Sequence, residues 1–217
     1  LKIHNEFNQA MDNDALIVRN KYSTTLKSSI DFNKHVPSLF ELLQNKELRS
    51  ILHSFYGTCY TLTIISGTRL FHIPENERNP ENMLSAIWHC DNIPTDTVHL
   101  AVFLQDTTPQ YGPTQLVSIE RTKQLMRMGY GQRHAIGLPI GELENPQYVK
   151  DLSSKLGTAH LMLPCQSLHR AGVPEKGLIR DSLFFSFRPG LEPTVKEQLK
   201  PVSRKIYEYM ESISKNR

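Results

Sequence analysis

Apolar and polar positions along the chain predict a helical segment followed by a run of short β-strands. Between residues 38 and 55 the apolar positions are spaced three or four apart for the most part, as one buried helical face requires; they are Leu39, Leu42, Leu43, Leu48, Ile51, Leu52 and Phe55. Ser38 and Glu41 have the spacing of a capping box, so a helix is predicted to begin there, and Gly57 is predicted to end it.

Strand patterns dominate the rest of the chain. Short segments rich in β-branched and aromatic residues predict strands at Ala15–Arg19, Cys59–Ile65, Thr68–Ile73, Thr97–Gln105, Gln115–Ile119, Thr158–Leu163 and Arg180–Phe187. The segment after Pro193 is predicted to be helical again. We therefore expect one domain over residues 1–217, mainly β, an antiparallel sandwich or barrel with helical flanks at about 36–56 and 193–215.

Composition narrows the class of partner. The chain has 217 residues, of which 39% are hydrophobic and 22% charged, and its net charge is +3. These values fit one globular domain with a core and give no indication of a nucleic-acid partner. A membrane is not indicated either, because no apolar run approaches the roughly 20 residues of a membrane span. Three cysteines without a CxxC pair argue against a disulfide framework and a zinc knuckle, so a cytoplasmic location is expected.

Two histidines and one aspartate form a candidate metal site. His89 and Asp91 flank Cys90, and in an extended chain residues two apart point to the same side. His169 follows 78 residues after Asp91 (169 − 91), just beyond a predicted strand. Two imidazoles and one carboxylate leave coordination positions open on an Fe(II) ion, which suits activation of O2 beside a bidentate co-substrate.

A candidate anion site accompanies these residues. Arg180 lies 11 residues after His169 (180 − 169) and opens an otherwise apolar strand. Its guanidinium has the fork geometry that holds a carboxylate through two hydrogen bonds, as 2-oxoglutarate offers. Ser182, two residues on, is expected on the same side of the strand as a second donor.

Several segments resemble the phytanoyl-CoA hydroxylase family of Fe(II)/2-oxoglutarate-dependent oxygenases. They are distributed along the chain from residue 37 to residue 182 and comprise residues 37–43, Ile51–Gly57, Trp88–Asp91, Val102–Thr108, Tyr111–Val117, Leu168–Gly172 and Arg180–Ser182. The resemblance implies a double-stranded β-helix (a cupin-like jelly roll). It also implies a dioxygenase that hydroxylates or otherwise oxidises a small organic substrate, while 2-oxoglutarate is decarboxylated to succinate and CO2. By this resemblance His89, Asp91 and His169 are the iron ligands and Arg180 is the co-substrate anchor.

Alternatives remain at the level of single residues. His160 is a rival for the distal ligand, although it lies within a strand and is interpreted as a core or neighbouring histidine. Arg69 is a candidate for a secondary 2-oxoglutarate contact. The other histidines, His99 among them, have no metal-ligand spacing and are given no role.

Two other functional classes also use such residues. A hydrolase or isomerase can use the same ligands with zinc or manganese, and a jelly-roll binding protein has no turnover at all. Arg180 favours the oxygenase, because a hydrolase has no need of a dicarboxylate anchor. Asp91 occupies the place where a halogenase of this fold would bind halide, so hydroxylation or a related oxidation is favoured.

The stretch from Glu120 to Gly157 is expected to form a lid over the iron. It contains Gly129, Gly131, Gly137 and Gly141, and it mixes methionines with cations such as Arg127 and Arg133. A lid of this kind favours a substrate with an anionic group. The alternative is a surface helix whose methionines pack on the barrel.

Overall fold

In the described part of the chain, β-strands form the body of the molecule and helices pack against them. The computed structural model describes residues 2–78, 84–128, 143 and 145–190. The described helices are α1 (Lys2–Met11), α2 (Phe32–His35), α3 (Ser38–Leu43), α4 (Lys46–Tyr56) and α5 (Ile119–Arg127). The described strands are β1 (Ile17–Arg19), β2 (Ser23–Leu26), β3 (Tyr60–Leu70), β4 (Val98–Phe103), β5 (Thr114–Val117), β6 (Val149–Asp151), β7 (Ala159–Met162), β8 (His169–Ala171) and β9 (Arg180–Pro189).

The strands form two antiparallel sheets. The larger sheet has the order β1-β2-β3-β9-β4-β7 and the smaller has the order β6-β5-β8. A cavity lined by residues of both sheets lies between them. The expectation of a mainly β jelly roll flanked by helices is therefore confirmed.

Alternation along β9 separates the core from this cavity. Phe185 and Phe187 are buried in the hydrophobic core with residues of α1, α2 and α3. Arg180 and Ser182, of opposite parity along the strand, line the cavity instead. The sheet thus carries the core on one face and polar residues on the other.

The predicted helix over residues 38–55 is two helices. Asn45 begins α4, because its side-chain oxygen accepts a hydrogen bond from the Leu48 N–H at 2.9 Å. The predicted capping box at Ser38 is wrong: the Ser38 hydroxyl and N–H both donate to the Glu6 carboxylate of α1, at 2.8 Å each. Gly57 ends α4 as predicted, with φ +63° in the left-handed region.

The two strands predicted on either side of Ser66-Gly67 are one strand. β3 runs through Gly67, where a Cβ atom would come within 2.8 Å of Leu26 and 3.0 Å of Phe7. The glycine permits close packing rather than a turn.

Other elements agree with the sequence in part. Residues 14–16 form a 3-10 turn, so the predicted strand Ala15–Arg19 is shortened to β1. Helix α1 and strands β2, β6 and β8 were not predicted. The predicted lid region begins with α5 and contains β6, which pairs with β5.

Two predicted segments lie outside the described residues. They are the centre of the lid region, residues 129–142 and 144, and the predicted helical segment 193–215. Among the helices that are described, none has the length and hydropathy needed to cross a membrane.

Candidate metal and co-substrate site

His89, Asp91 and His169 meet at one end of the cavity. The Asp91 Oδ1 atom lies 3.4 Å from His89 Nε2 and 3.9 Å from His169 Nε2. One ligand atom from each of the three lies within 4.8 Å of the others. Two ligand atoms at the roughly 2.0–2.2 Å typical of nitrogen and carboxylate ligands lie at most about 4.4 Å apart, so the separations of Asp91 Oδ1 from the two Nε2 atoms fit a single ion. The arrangement is an incomplete coordination sphere with one open side.

Backbone hydrogen bonds bring the two histidines together. The His89 N–H donates to the His169 carbonyl at 3.0 Å, and the His169 N–H donates back to His89 at 2.9 Å. The Asp91 N–H donates to the Pro164 carbonyl at 2.9 Å. A pair of residues 80 apart (169 − 89) is thus fixed by one antiparallel bridge, and side chains opposite each other in such a bridge share a face.

The second nitrogen of each imidazole fixes which nitrogen can bind metal. His89 Nδ1 donates to the Ile87 carbonyl at 2.6 Å, and His169 Nδ1 donates to the Ser167 carbonyl at 3.0 Å. Because a carbonyl can only accept, the proton of each neutral ring is on Nδ1. The Nε2 lone pair of both rings therefore faces Asp91, as a metal ligand requires.

The electrostatics keep these groups in their ligand forms. Burial raises the pKa of Asp91, but the neighbouring His89, His169 and His99 outweigh it and lower the value to about 2. Burial and the neighbouring His89 lower the pKa of His169 to about 4. At neutral pH the site thus holds an ionised carboxylate beside a neutral His169 imidazole.

Arg180 is a buried cation in the same cavity. It is 3% exposed, and burial lowers its pKa to about 10. Its Nη1 donates to the Gly172 carbonyl at 3.1 Å. The guanidinium carbon Cζ lies 5.8 Å from the centroid of the Phe103 ring. Among the described residues, no carboxylate pairs with it and its Nε has no hydrogen-bond partner. A buried charge left in this state is costly, so the guanidinium fits an anionic ligand.

The cavity joins Arg180 to the three candidate ligands. Its volume of about 270 Å3 lies near the lower end of the roughly 300–1,000 Å3 of small-molecule sites. The predicted donor Ser182 lines it, on the same side of β9 as Arg180, and its hydroxyl approaches the Thr68 carbonyl at 3.5 Å. The remaining lining residues are Thr68, Leu70, Ser85, His99, Thr114, Met162, Ala171 and Phe184.

His99 is a site residue that the sequence did not indicate. Its Nδ1 lies 3.9 Å from Asp91 Oδ2, on the side of the carboxylate away from His89, and its Nε2 has no partner among the described residues. Burial lowers its pKa. Its position on β4 opposite Met162 places it in the cavity, and only the pairing of β4 with β7 and β9 reveals this.

Other candidates lie elsewhere. Arg69 was a candidate for a 2-oxoglutarate contact, but it forms a two-point ion pair with Asp181, both contacts at 2.8 Å, and does not line the cavity. Asp181 lies on the opposite face of β9 from Arg180.

His160 lies beside Phe103, with ring centroids 6.0 Å apart, outside the three-residue cluster. Cys90 packs in a second hydrophobic cluster beneath α5, away from the ligands on either side of it.

Solved structures share this architecture, whereas no family model and no curated protein matches the sequence. The non-haem alpha-ketoglutarate-dependent epimerase SnoN from nogalamycin biosynthesis superimposes with a TM-score of 0.60 at 14% identity, over 93% of this chain and 84% of SnoN. HygX from Streptomyces hygroscopicus, with nickel and 2-oxoglutarate bound, superimposes with a TM-score of 0.54 at 13% identity, over 89% of this chain and 80% of HygX. EctD from S. alaskensis, with bound Fe, superimposes with a TM-score of 0.52 at 13% identity, over 87% of this chain and 68% of EctD. At these identities the similarity concerns the fold, and it shows that the chain has the jelly-roll fold of the iron- and 2-oxoglutarate-dependent oxygenases.

Proposed function

We propose that this chain is a non-haem Fe(II)- and 2-oxoglutarate-dependent dioxygenase that oxidises a small organic substrate, most simply by hydroxylation. Within that class, the motifs from Trp88 to Asp91 and from Leu168 to Ser182 favour the phytanoyl-CoA hydroxylase family. SnoN is described as an epimerase and another similar structure, SnoK, as a carbocyclase, so the same fold supports several oxidative outcomes.

The observation that carries the proposal is Arg180. A buried guanidinium without a carboxylate partner in the described part of the chain shares a small cavity with two histidines and one aspartate. A metal-dependent hydrolase needs the ligands but not the cation. A dicarboxylate co-substrate uses both, because one end reaches the metal and the other end accepts hydrogen bonds from the guanidinium.

Each residue has a defined role in this proposal. His89, Asp91 and His169 hold Fe(II), with their protons already in the required places. Arg180 and Ser182 bind the distal carboxylate of 2-oxoglutarate. When bound, iron and co-substrate supply the oxidising chemistry, in which O2 gives one oxygen atom to the substrate and one to succinate as CO2 leaves. Arg180 is buried, so the low local dielectric strengthens its contact with an anion.

Titration of 2-oxoglutarate into the anaerobic Fe(II) protein tests this proposal. We expect a metal-to-ligand charge-transfer band in the wild type, and succinate once O2 is admitted. Arg180→Lys keeps the charge but loses the two-point contact, so the affinity for 2-oxoglutarate is expected to fall about tenfold or more while iron still binds.

Arg188→Lys is the matched control, because Arg188 lies on the same strand but outside the cavity, where it donates to the Thr97 hydroxyl at 3.2 Å. It should leave the affinity for 2-oxoglutarate unchanged. An unchanged affinity in Arg180→Lys and in Arg180→Ala would contradict the co-substrate assignment and favour a hydrolase.

A further inference from the structure

A second cavity, of about 330 Å3, lies between α4 and the strand ends around the candidate metal site. We call it the α4 groove; its principal lining residues are Ile51, Leu52, Phe55, Leu116, Leu161 and Met162. Of the described residues that line it, Ser167 is the polar one and none is charged. The groove therefore favours an uncharged, apolar occupant.

The α4 groove adjoins the candidate metal cavity. Met162 lines both cavities and is 6% exposed, so one side chain separates them. Leu116, in the groove, is the register partner of His169 across the smaller sheet. A ligand in the groove would thus lie next to the metal ligands, and an unbranched methionine is a side chain that adapts to different neighbours.

Part of the groove wall is formed by exposed apolar side chains. Ile51 and Phe55, four residues apart on one face of α4, are 52% and 49% exposed, and Leu161 on the facing strand is 37% exposed. Leu52 on the same helix is 1% exposed and anchors α4 to the core. When an apolar ligand fills such a groove, the neighbouring apolar side chains are removed from water, and this burial favours binding.

We infer that the substrate carries an uncharged hydrocarbon portion that binds in the α4 groove, with Met162 between that portion and the metal centre. This inference rests on the proposed function, because it names the substrate class of the same site. Arg180 lies at the start of β9, which pairs with the end of β4, whereas Val98 in the groove is at the start of β4. Co-substrate and hydrocarbon thus approach the metal from different directions. The expectation of an anionic group on the substrate stays a prediction, since Arg133 lies outside the described residues.

Binding of n-decanol, measured by ligand-observed NMR on the full chain, tests the inference. Phe55→Ser and Ile51→Ser are expected to weaken binding about tenfold each, because each removes apolar contact area. Phe40→Ser and Ile64→Ser are the matched controls: both residues are similarly exposed, at 39% and 47%, and neither lines the groove. Equal binding by the wild type and the two groove variants would overturn the inference.

A second readout separates this inference from the proposed function. In the anaerobic complex with Fe(II) and 2-oxoglutarate, n-decanol is expected to perturb the charge-transfer band of the wild type. A band that forms normally but does not respond to n-decanol would overturn the groove assignment and leave the oxygenase proposal intact. Failure of the band to form in the wild type would overturn the proposed function, whatever n-decanol does.

Two other occupants of the groove give distinct results. If sedimentation shows a wild-type dimer that Phe55→Ser converts to a monomer, the groove binds a second copy of the chain. If n-decanol fails to bind and Phe55→Ser instead increases hydrogen exchange in residues 191–217, the groove binds the C-terminal segment. Either result would overturn the substrate assignment.

Discussion

At the scale of residues, the site depends on hydrogen bonds made by atoms that do not face the metal position. The Nδ1 protons of His89 and His169 are held by carbonyls two residues before each ring, so neither imidazole has to change tautomer before it binds metal. Outer hydrogen bonds of this kind orient metal ligands and raise their basicity. The local backbone thus fixes the tautomer of both rings, with Nε2 left free of a proton.

Removal of a ligand tests the assignment at this scale. Asp91→Ala or His169→Ala is expected to abolish iron-dependent turnover, because two remaining protein ligands hold Fe(II) poorly. Iron content after dialysis and succinate formation measure the effect. His160→Ala is the control: it removes a buried ring outside the cluster and should change thermal stability more than iron content. Wild-type turnover of either ligand variant at limiting iron would show the assignment to be wrong.

At the scale of elements, two glycines place Arg180. Gly112 has φ +62°, and a Cβ atom there would lie 2.4 Å from the Val173 backbone. A Cβ atom on Gly172 would lie 2.4 Å from the Pro113 carbonyl oxygen, and the Gly172 carbonyl accepts the hydrogen bond from Arg180. The turn before β5 and the turn after β8 therefore touch backbone to backbone behind the guanidinium.

Gly172→Ala is expected to disturb this contact. Overpacking of this kind costs about 1–3 kcal/mol of the free energy of unfolding, and the displaced carbonyl should weaken binding of 2-oxoglutarate without loss of iron. Gly57→Ala is the matched control, because its φ of +63° also disfavours alanine, at about 1–2 kcal/mol, but no atom lies within 4 Å of its Cβ position. Chemical denaturation and 2-oxoglutarate titration measure both effects. Equal 2-oxoglutarate affinity in the two variants would contradict the positioning role.

At the scale of the whole molecule, a buried cation with no carboxylate partner among the described residues is expected to lower the stability of the unliganded chain. Arg180 is buried between the sheets, and burial alone accounts for its lowered pKa. Replacement of buried charge by apolar residues of similar size is often neutral or stabilising. The residue most closely tied to the proposed function is thus one that the fold itself does not need.

Arg180→Met is therefore expected to raise the melting temperature of the unliganded protein while removing its response to 2-oxoglutarate. In the wild type with Fe(II), 2-oxoglutarate at about 100 times its dissociation constant should raise the melting temperature by about 5–10 °C. The variant should retain the shift that iron alone produces. A lower melting temperature in unliganded Arg180→Met would mean that the guanidinium serves the fold rather than a ligand.

The sequence by itself indicated the residues of the candidate site and the positions of most strands along the chain. His89, Asp91, Arg180 and Ser182 were readable because residues two apart on an extended strand share a face, whichever sheet the strand joins. The end of α4 at Gly57 was readable for a similar reason, since a local backbone conformation decides it.

Only the tertiary structure decided the contacts between residues distant in the chain. The hydrogen bonds from Ser38 to Glu6 and the passage of β3 through Gly67 depend on contacts with α1 and β2, which local patterns did not reveal. His99 lines the cavity although the sequence did not indicate it, and Arg69 does not line it although the sequence suggested it. Strand register decides which face of a sheet a side chain joins. The approach of the α4 groove to the metal position depends likewise on β5, β7 and α4, whose packing no short stretch of sequence encodes.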